Sequence, residues 1–573
     1  MKIPLTHSSR RRLVILSLAV GLLSGLAAVF LDWSIHQIHH FLDATVHFEH
    51  DIQNLVLPGV GMLVSLLLVR FVIRDNIGHG VTKVLVAMSR NESLIKPHNT
   101  WSSILTSAIT IGFGGSVGAE APIVYTGAAI GSNVGRLAGL SHREITILLG
   151  CGAAGAVSGI FKAPLAGVLF TMEILLFNVS MSSMFPMLVS TVSAVLVSCL
   201  FRGQTPVFAC SLTQFSMLNV PFYLVLGAVA GFGSLFFTSG TLWLEDTIGK
   251  LRNPYLKWIL CAVGLGILIF FFPPLYGEGY DSLSMLLNGQ DTGMQLTGWM
   301  VPLFFFMVFL MKVVAMTLTN AGGGVGGTFG PTLFAGAVLG FVVARSFNLA
   351  MNGAGISVPE QNFVLVGMAA MMAGVMQAPM TAIFLIAEIS GGYELLIPLI
   401  LTSAVSFGTV RIFENYSIYT KRIAQSGDLL THDNDRSVLT LMKTEDLIRD
   451  KYPRIGLGAP LRTLVGIVTE STAAVVAVVD DCGKFEGYID VEQQRGTMLQ
   501  TRQYDSLHVY NLMIQPPVII HRTDKMDKVM SDFDRTGAWR LPVVDEDGHY
   551  LGFISKSRVL MAYREALKEI SQD

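Results

Sequence analysis

The sequence predicts a polytopic all-α membrane protein with broken and re-entrant helices, followed by a small α/β unit. Three observations carry this reading. Apolar residues make up 51% of the 573 positions and charged residues 14%, and the mean hydropathy is +0.56, too apolar for a globular chain with a single anchor. A glycine-dense apolar run is written twice before Lys421. After Lys421 charged residues become frequent and a different, shorter repeat begins.

Taken in order, Lys2 and Arg10-Arg11-Arg12 precede the apolar stretch Leu13 to Trp33, long enough to span a bilayer. The basic flank predicts a cytoplasmic N-terminus. His36, His40, Asp43, His47 and His50 follow at helical spacing, a pattern expected of one interfacial helix face. They contain no closed set of metal ligands. Further apolar segments, among them Val56 to Ile73, Pro164 to Phe177, Val301 to Leu318 and Met380 to Ile389, are uneven in length, and several are interrupted by Gly or Pro. Interrupted segments at matching positions of two repeats point to an ion site near the bilayer midplane.

The repeat is explicit. Shifting Gly114 to Arg136 by 209 positions superimposes Gly114 on Gly323, Gly118 on Gly327, Pro122 on Pro331, Gly131 on Gly340 and Arg136 on Arg345. Glu120 falls on Phe329. The echo continues from Ala163-Pro164 and Glu173 to Ala378-Pro379 and Glu388.

Each run reads as a bent glycine-rich segment that opens a helix, with Pro122 or Pro331 in a first turn where the missing N–H costs no hydrogen bond. Two such helix starts facing one another hold a small anion through free N–H groups and positive dipole ends, without any cation. Within this run Glu120 is the lone acid, with no Lys or Arg between Lys96 and Arg136, and an intramembrane carboxylate is a functional residue by default. Ionised, it competes for the anion position; protonated, it leaves. Close packing of helices explains Gly127, Gly131, Gly336 and Gly340 equally well, but does not explain a carboxylate ahead of the proline.

Gly118-x-Glu120-x-Pro122, Gly326-Gly327-Thr328-Phe329-Gly330-Pro331 and Gly78-His79-Gly80-Val81 resemble the three signature motifs of the CLC family of chloride channels and proton/chloride exchangers. The resemblance covers about residues 12 to 421. It implies two inverted repeats and a homodimer with one anion path per subunit. Glu120 is then the gating glutamate, and His79, Gly80, Ala121, Thr328, Phe329 and Tyr419 are the anion-binding positions, with Tyr416 the alternative to Tyr419. The family's serine is replaced by His79. Ile174 stands where exchangers of the family carry an internal proton-transfer glutamate, so the resemblance implies a passive, voltage- or pH-gated channel, with a proton/chloride antiporter as the alternative. Glu173 and Glu388 are expected to pair with backbone N–H groups.

In the C-terminal part Val478-Val479-Asp480, Gly483, Gly487 and Ile489 recur 65 residues on as Val543-Val544-Asp545, Gly548, Gly552 and Ile554. Each unit reads as strand, tight turn, strand and helix. This resembles a cytoplasmic tandem of cystathionine-β-synthase-type (CBS) domains. The implied organisation is a transport domain over residues 1–421, a linker over 422–440 and a CBS pair over 441–573. Such pairs hold adenine nucleotides; the corresponding positions here are Ser555 and Arg558, although the family's ribose-binding Asp is absent.

A CBS-regulated divalent-cation transporter is the remoter alternative. A membrane enzyme is disfavoured, since no H-E-x-x-H occurs. No resident cofactor or metal is expected. The net charge of −2 gives no case for nucleic acid, and the five scattered cysteines form no C-x-x-C pair. The expected setting is a bacterial inner membrane, with chloride and lipid as partners and both termini in the cytoplasm.

Overall fold

The computed structural model describes residues 7–45, 50–75, 77–78, 80–90, 93–175, 181–208, 212–289, 297–351, 357–421, 423, 442, 444–449, 452–471 and 473–571. The chain forms two compact units, Met1–Leu429 and Leu430–Asp573. Apart from Ile423, the expected linker lies outside the described residues.

The first unit is helical. Its first half runs α1 (His7–Thr45), α2 (His50–Leu67), α3 (Gly80–Arg90), α4 (Ser102–Gly112), α5 (Glu120–Leu137), α6 (His142–Phe161), α7 (Pro164–Glu173) and α8 (Met181–Arg202). Its second half runs α9 (Val220–Gly249), α10 (Pro254–Phe271), α11 (Tyr280–Leu287), α12 (Met300–Ala321), α13 (Phe329–Ala350), α14 (Glu360–Val375), α15 (Pro379–Ile389) and α16 (Leu396–Phe413). The halves pack alike: α1 lies on α6 and α8 as α9 lies on α14 and α16, and α5 pairs with α6 as α13 pairs with α14. Nine helices among the described residues are long and apolar enough to cross a bilayer. α4, α7 and α15 are shorter apolar helices, as broken spans require.

The glycines of the doubled run set these pairings. Gly127 and Gly131 of α5 lie against the backbone of Gly152 and Leu148 in α6, and Gly336 and Gly340 of α13 lie against Gly367 and Phe363 in α14. Backbone this close leaves no room for a Cβ, so the packing reading of these glycines holds. Gly114 (φ 90°) and Gly323 (φ 104°), equivalent in the two repeats, share the left-handed bend that leads into each helix start.

The acids closing α7 and α15 cap across the repeats. Glu173 accepts from Met380 N (3.1 Å) and Thr381 N (2.7 Å) at the start of α15, and Glu388 accepts from Leu165 N (3.1 Å) and Ala166 N (2.9 Å) at the start of α7. Each carboxylate thereby satisfies two N–H groups that a helix beginning with proline leaves without an intrahelical acceptor.

The second unit contains two equal sheets. β1 (Arg454–Gly456) runs parallel to β2 (Val475–Val479), which pairs antiparallel with β3 (Phe485–Asp490). β4 (Ile520–His521), β5 (Arg540–Val544) and β6 (Tyr550–Ser555) repeat the arrangement. Val478 faces Gly487 and Val543 faces Gly552, and the register slips after each. The 65-residue repeat of the sequence is thus a repeat of pairing down to the same irregularity. Amphipathic helices α17 (Leu461–Glu470) and α19 (Met526–Thr536) cover these sheets, while α18 (Arg495–Met498) and α20 (Lys556–Ser571) each follow a hairpin.

The expected histidine face lies only partly within the described residues. His36 and His40 lie on α1, which ends at Thr45, His50 opens α2, and His47 lies outside the described residues.

Candidate functional site

The two glycine motifs meet. Gly118 N donates to Gly327 O (3.1 Å) and Gly327 N donates to Gly118 O (2.7 Å), an isolated antiparallel bridge that brings the starts of α5 and α13 together. The third helix start joins them, because Gly80, first residue of α3, lies directly against the carbonyl of Ala121. A Cβ on Gly327 would stand 2.7 Å from that of Ala121. His79 lies outside the described residues.

Glu120 is the first residue of α5 and is 2% exposed, so its carboxylate is inside the protein and not on the lipid face. Its Oε2 accepts from Gly330 N of α13 at 3.1 Å, and its Oε1 accepts from the Tyr280 hydroxyl at 2.6 Å. The acid of the first repeat therefore occupies the helix N-terminus of the second, the position where an anion is stabilised by unpaired N–H groups and the dipole.

Thr328 and Phe329 form the N-cap and first residue of α13. Thr328 Oγ1 donates to the Tyr419 hydroxyl at 3.2 Å. Tyr419 is 5% exposed, whereas Tyr416 is 38% exposed on the surface, so Tyr419 is the tyrosine at the site. A turn in which Ser417 and Thr420 hydrogen-bond each other's backbone N–H holds Tyr419 in place. The Phe329 ring packs against Phe161 (5.5 Å) and Phe170 (6.0 Å). Ile174 is buried at the end of α7, donating its N–H to Phe170 O, one turn from that aromatic wall. Its side chain has no titratable group.

Three residues at the site escaped the sequence reading. Tyr280 is the first. Glu278 is the second, accepting from Ala119 N at 2.9 Å with Oε1. The third corrects the expectation of a site without a cation: Lys312 of α12 is fully buried, donates to Ser116 Oγ (2.9 Å), Gly277 O (3.2 Å) and Glu278 O (3.4 Å), and lies 4.8 Å from the Phe334 ring centroid. The signal was available, since Lys312 is a lone cation inside the apolar stretch Val301 to Leu318.

Residues 60–411, more than half of the chain, match the family described as voltage gated chloride channel, and residues 509–565 match the CBS domain. The chain belongs to the voltage-gated chloride channel (CLC) family. It is an integral, multi-pass membrane protein with a C-terminal α/β CBS region. Among CLC relatives, the voltage-gated ClC-type chloride channel ClcB of Escherichia coli O157:H7 is 28% identical over 332 residues, 56% of this chain and 75% of that protein. The H(+)/Cl(-) exchange transporter ClcA of Vibrio cholerae is 26% identical over 433 residues, 71% of this chain and 88% of its own. In fold the chain is similar to a slow cyanobacterial Cl−/H+ antiporter, with a TM-score of 0.64, 22% identity and coverage of 72% and 98%. A eukaryotic CLC transporter matches with a TM-score of 0.61 at 16% identity, over 96% of this chain and 98% of that one.

In the CBS region Ser555 ends β6, where its Oγ lies 3.3 Å from Ser557 Oγ and accepts from Arg558 N at 3.4 Å. Asp490, its counterpart, accepts from Glu492 N and Gln493 N. Among the described residues, Asp545, Asp547 and His549 are the group spaced closely enough to share a metal ion; they sit on the β5–β6 turn, where Asp545 accepts from the N–H groups of Asp547 and His549. Four cysteines, Cys151, Cys199, Cys261 and Cys482, are free thiols, and Cys210 lies outside the described residues.

Proposed function

We infer that this protein carries chloride across its membrane as a passive channel gated by voltage or pH, with Glu120 as the gate and no enzymatic activity. The observation that carries the reading is the carboxylate of Glu120 on Gly330 N–H, at the first turn of α13. An anion arriving there competes with Glu120 for the same donors, and protonation of Glu120 removes the competitor. Gly80, Ala121, Thr328, Phe329 and Tyr419 surround the anion in this reading, with His79 beside Gly80. N–H dipoles hold a halide strongly enough to strip its water and weakly enough to release it.

Ile174 favours a channel over an exchanger, because an aliphatic side chain cannot take up a proton. The alternative, a proton/chloride antiporter, is supported by relatives named as exchange transporters. Simultaneous recording of chloride and proton movement in vesicles separates them. Chloride flux without stoichiometric proton flux is the expected result; uphill proton movement driven by a chloride gradient would reverse the assignment. Membership of the CLC family leaves the divalent-cation alternative without support.

The reading extends to a homodimer with one path per subunit in a bacterial inner membrane, both termini cytoplasmic. It includes a regulatory CBS pair with adenine nucleotide as candidate ligand near Ser555 and Arg558. Calorimetric titration of the full chain with ATP tests the last point, and absence of binding heat removes it.

A further inference from the structure

The loop Gly277-Glu278-Gly279-Tyr280 belongs to none of the signature motifs, yet it runs alongside residues 114–120 and is tied to them at successive points. Gly277 N donates to Gly114 O at 3.0 Å. Lys312 Nζ bridges the carbonyls of Gly277 and Glu278 to Ser116 Oγ. Ala119 N donates to Glu278 Oε1 at 2.9 Å, and the last tie is the Tyr280 hydroxyl on Glu120 Oε1 at 2.6 Å. Each tie stands closer to the gating carboxylate than the one before.

The loop is shaped for this. Gly277 and Gly279 take φ of 59° and 88°, and a Cβ on Gly279 would stand 2.6 Å from the Phe334 ring. Its place in the fold is also informative. α11 follows α10 as α3 follows α2, so Gly277-x-Gly279 leads into α11, which begins at Tyr280, as Gly78-x-Gly80 leads into α3, which begins at Gly80 itself. Both elements press on the start of α5, Gly80 against Ala121 and Tyr280 against Glu120. The second repeat therefore carries its own version of the first motif, with Glu278 where the first has His79.

We propose that the 277–280 loop is a clasp that holds Glu120 in the closed position, with Tyr280 as the positioning residue and Glu278 and Lys312 fixing the loop. The proposal rests on the reading of Glu120 as the gate. Gly330 N–H engages one carboxylate oxygen and Tyr280 O–H the other. Held by one donor, a carboxylate pivots about it; held at both oxygens, it leaves only by breaking a charge-assisted bond. A tyrosine present only to fill space needs its ring, which here meets Phe208 edge-on at 5.5 Å, and does not need its hydroxyl aimed at an acid. The ionisable groups around Glu120 are Tyr280 and Glu278 from the loop, Lys312 from α12, and Tyr419 from the segment after α16.

The experiment is chloride efflux from vesicles as a function of pH for the wild type, Tyr280→Phe, Glu120→Gln and the double variant. Tyr280→Phe is expected to raise efflux at neutral pH several-fold and to move the pH of half-maximal efflux up by about one unit, the size of one lost hydrogen bond to a charged group. In Glu120→Gln efflux is flat with pH, and adding Tyr280→Phe leaves it within about twofold, as expected when one residue acts through the other. A wild-type pH profile in Tyr280→Phe, with Glu120→Gln flat, overturns the clasp alone. An equal effect of Tyr280→Phe in both backgrounds also overturns it, since the residue then acts elsewhere. A wild-type profile in Glu120→Gln overturns the gate itself. Should Tyr280→Phe fail to fold, Glu278→Ala detaches the loop from Ala119; a smaller upward move of the midpoint supports the clasp and an unmoved midpoint sinks it.

Discussion

Gly118 and Gly327 stand at equivalent positions of two repeats and exchange both of their backbone hydrogen bonds with each other. The pseudo-twofold relation between the halves therefore passes through a point of direct contact, and the Glu120 carboxylate lies two residues from it. A Cβ on Gly118 would collide with Glu120 Oε2 and come within 2.9 Å of Gly330 N. Gly118→Ala is accordingly expected to push Glu120 out of its seat, at a cost to stability of about 1–3 kcal/mol. Chloride efflux at neutral pH should rise; efflux that keeps the wild-type pH profile would contradict the placement.

Glu120→Gln retains the size of the side chain and removes its charge. The amide loses the charge-assisted bonds that seat the carboxylate, so the gate is expected to stand open across the pH range. Efflux near neutral pH should match that in mild acid within about a factor of two, against roughly tenfold for a group titrating across one pH unit. A surviving pH dependence means that another group gates.

Glu173 and Glu388 are structural in this description. Glu388→Ala leaves Leu165 N and Ala166 N without their acceptor, each worth about 1–3 kcal/mol when buried and unsatisfied. The thermal midpoint in detergent should fall clearly for Glu388→Ala and less for Glu388→Gln, which keeps one acceptor oxygen. An unchanged midpoint for Glu388→Ala would show the caps to be dispensable. The pH profile of efflux should not move in either variant.

In the CBS region the Arg462 guanidinium hydrogen-bonds Asp505 at 2.8 and 2.6 Å and holds its carboxyl below the usual range. The folded value is depressed, so the stabilisation is fully present above about pH 4, the unfolded value, and is lost as pH falls through the lower folded one. The pair is exposed and screened by salt, so the effect is small. Asp505→Asn should weaken hydrogen-exchange protection around Leu461 and Tyr504 at neutral pH in the full-length protein, with the difference from wild type vanishing in strong acid. A difference that persists there would point to packing instead of charge.

Much of this site was legible because it is made of backbone. Glycines followed by a first-turn proline announce a helix start, and a 209-residue repeat announces two, so Glu120 could be named from the residues, and Thr328 and Phe329 from the resemblance to the CLC motifs. Glu173 and Glu388 were legible as acids closing apolar helices whose partners begin with Pro379 and Pro164. Tyr280 and Glu278 were not, because their roles come from a loop laid against a segment about 160 residues away, and no periodicity encodes that contact. Lys312 was masked by its own stretch: averaged over an apolar span, one cation disappears, although its solitude was the clue. Gly277-Glu278-Gly279 repeats the spacing of Gly78-His79-Gly80, but two glycines are too weak a pattern to recognise without the helices that follow them.

The crossed caps have a consequence for biosynthesis. The N–H groups of Leu165 and Ala166 receive their acceptor from a residue 223 and 222 positions downstream. While the ribosome is still making the intervening chain, the start of α7 lacks the acceptor that the folded protein gives it. The capping of the first half is therefore complete only once its twin has emerged. Severed from that twin, it would be expected to meet quality control before it ever met an ion.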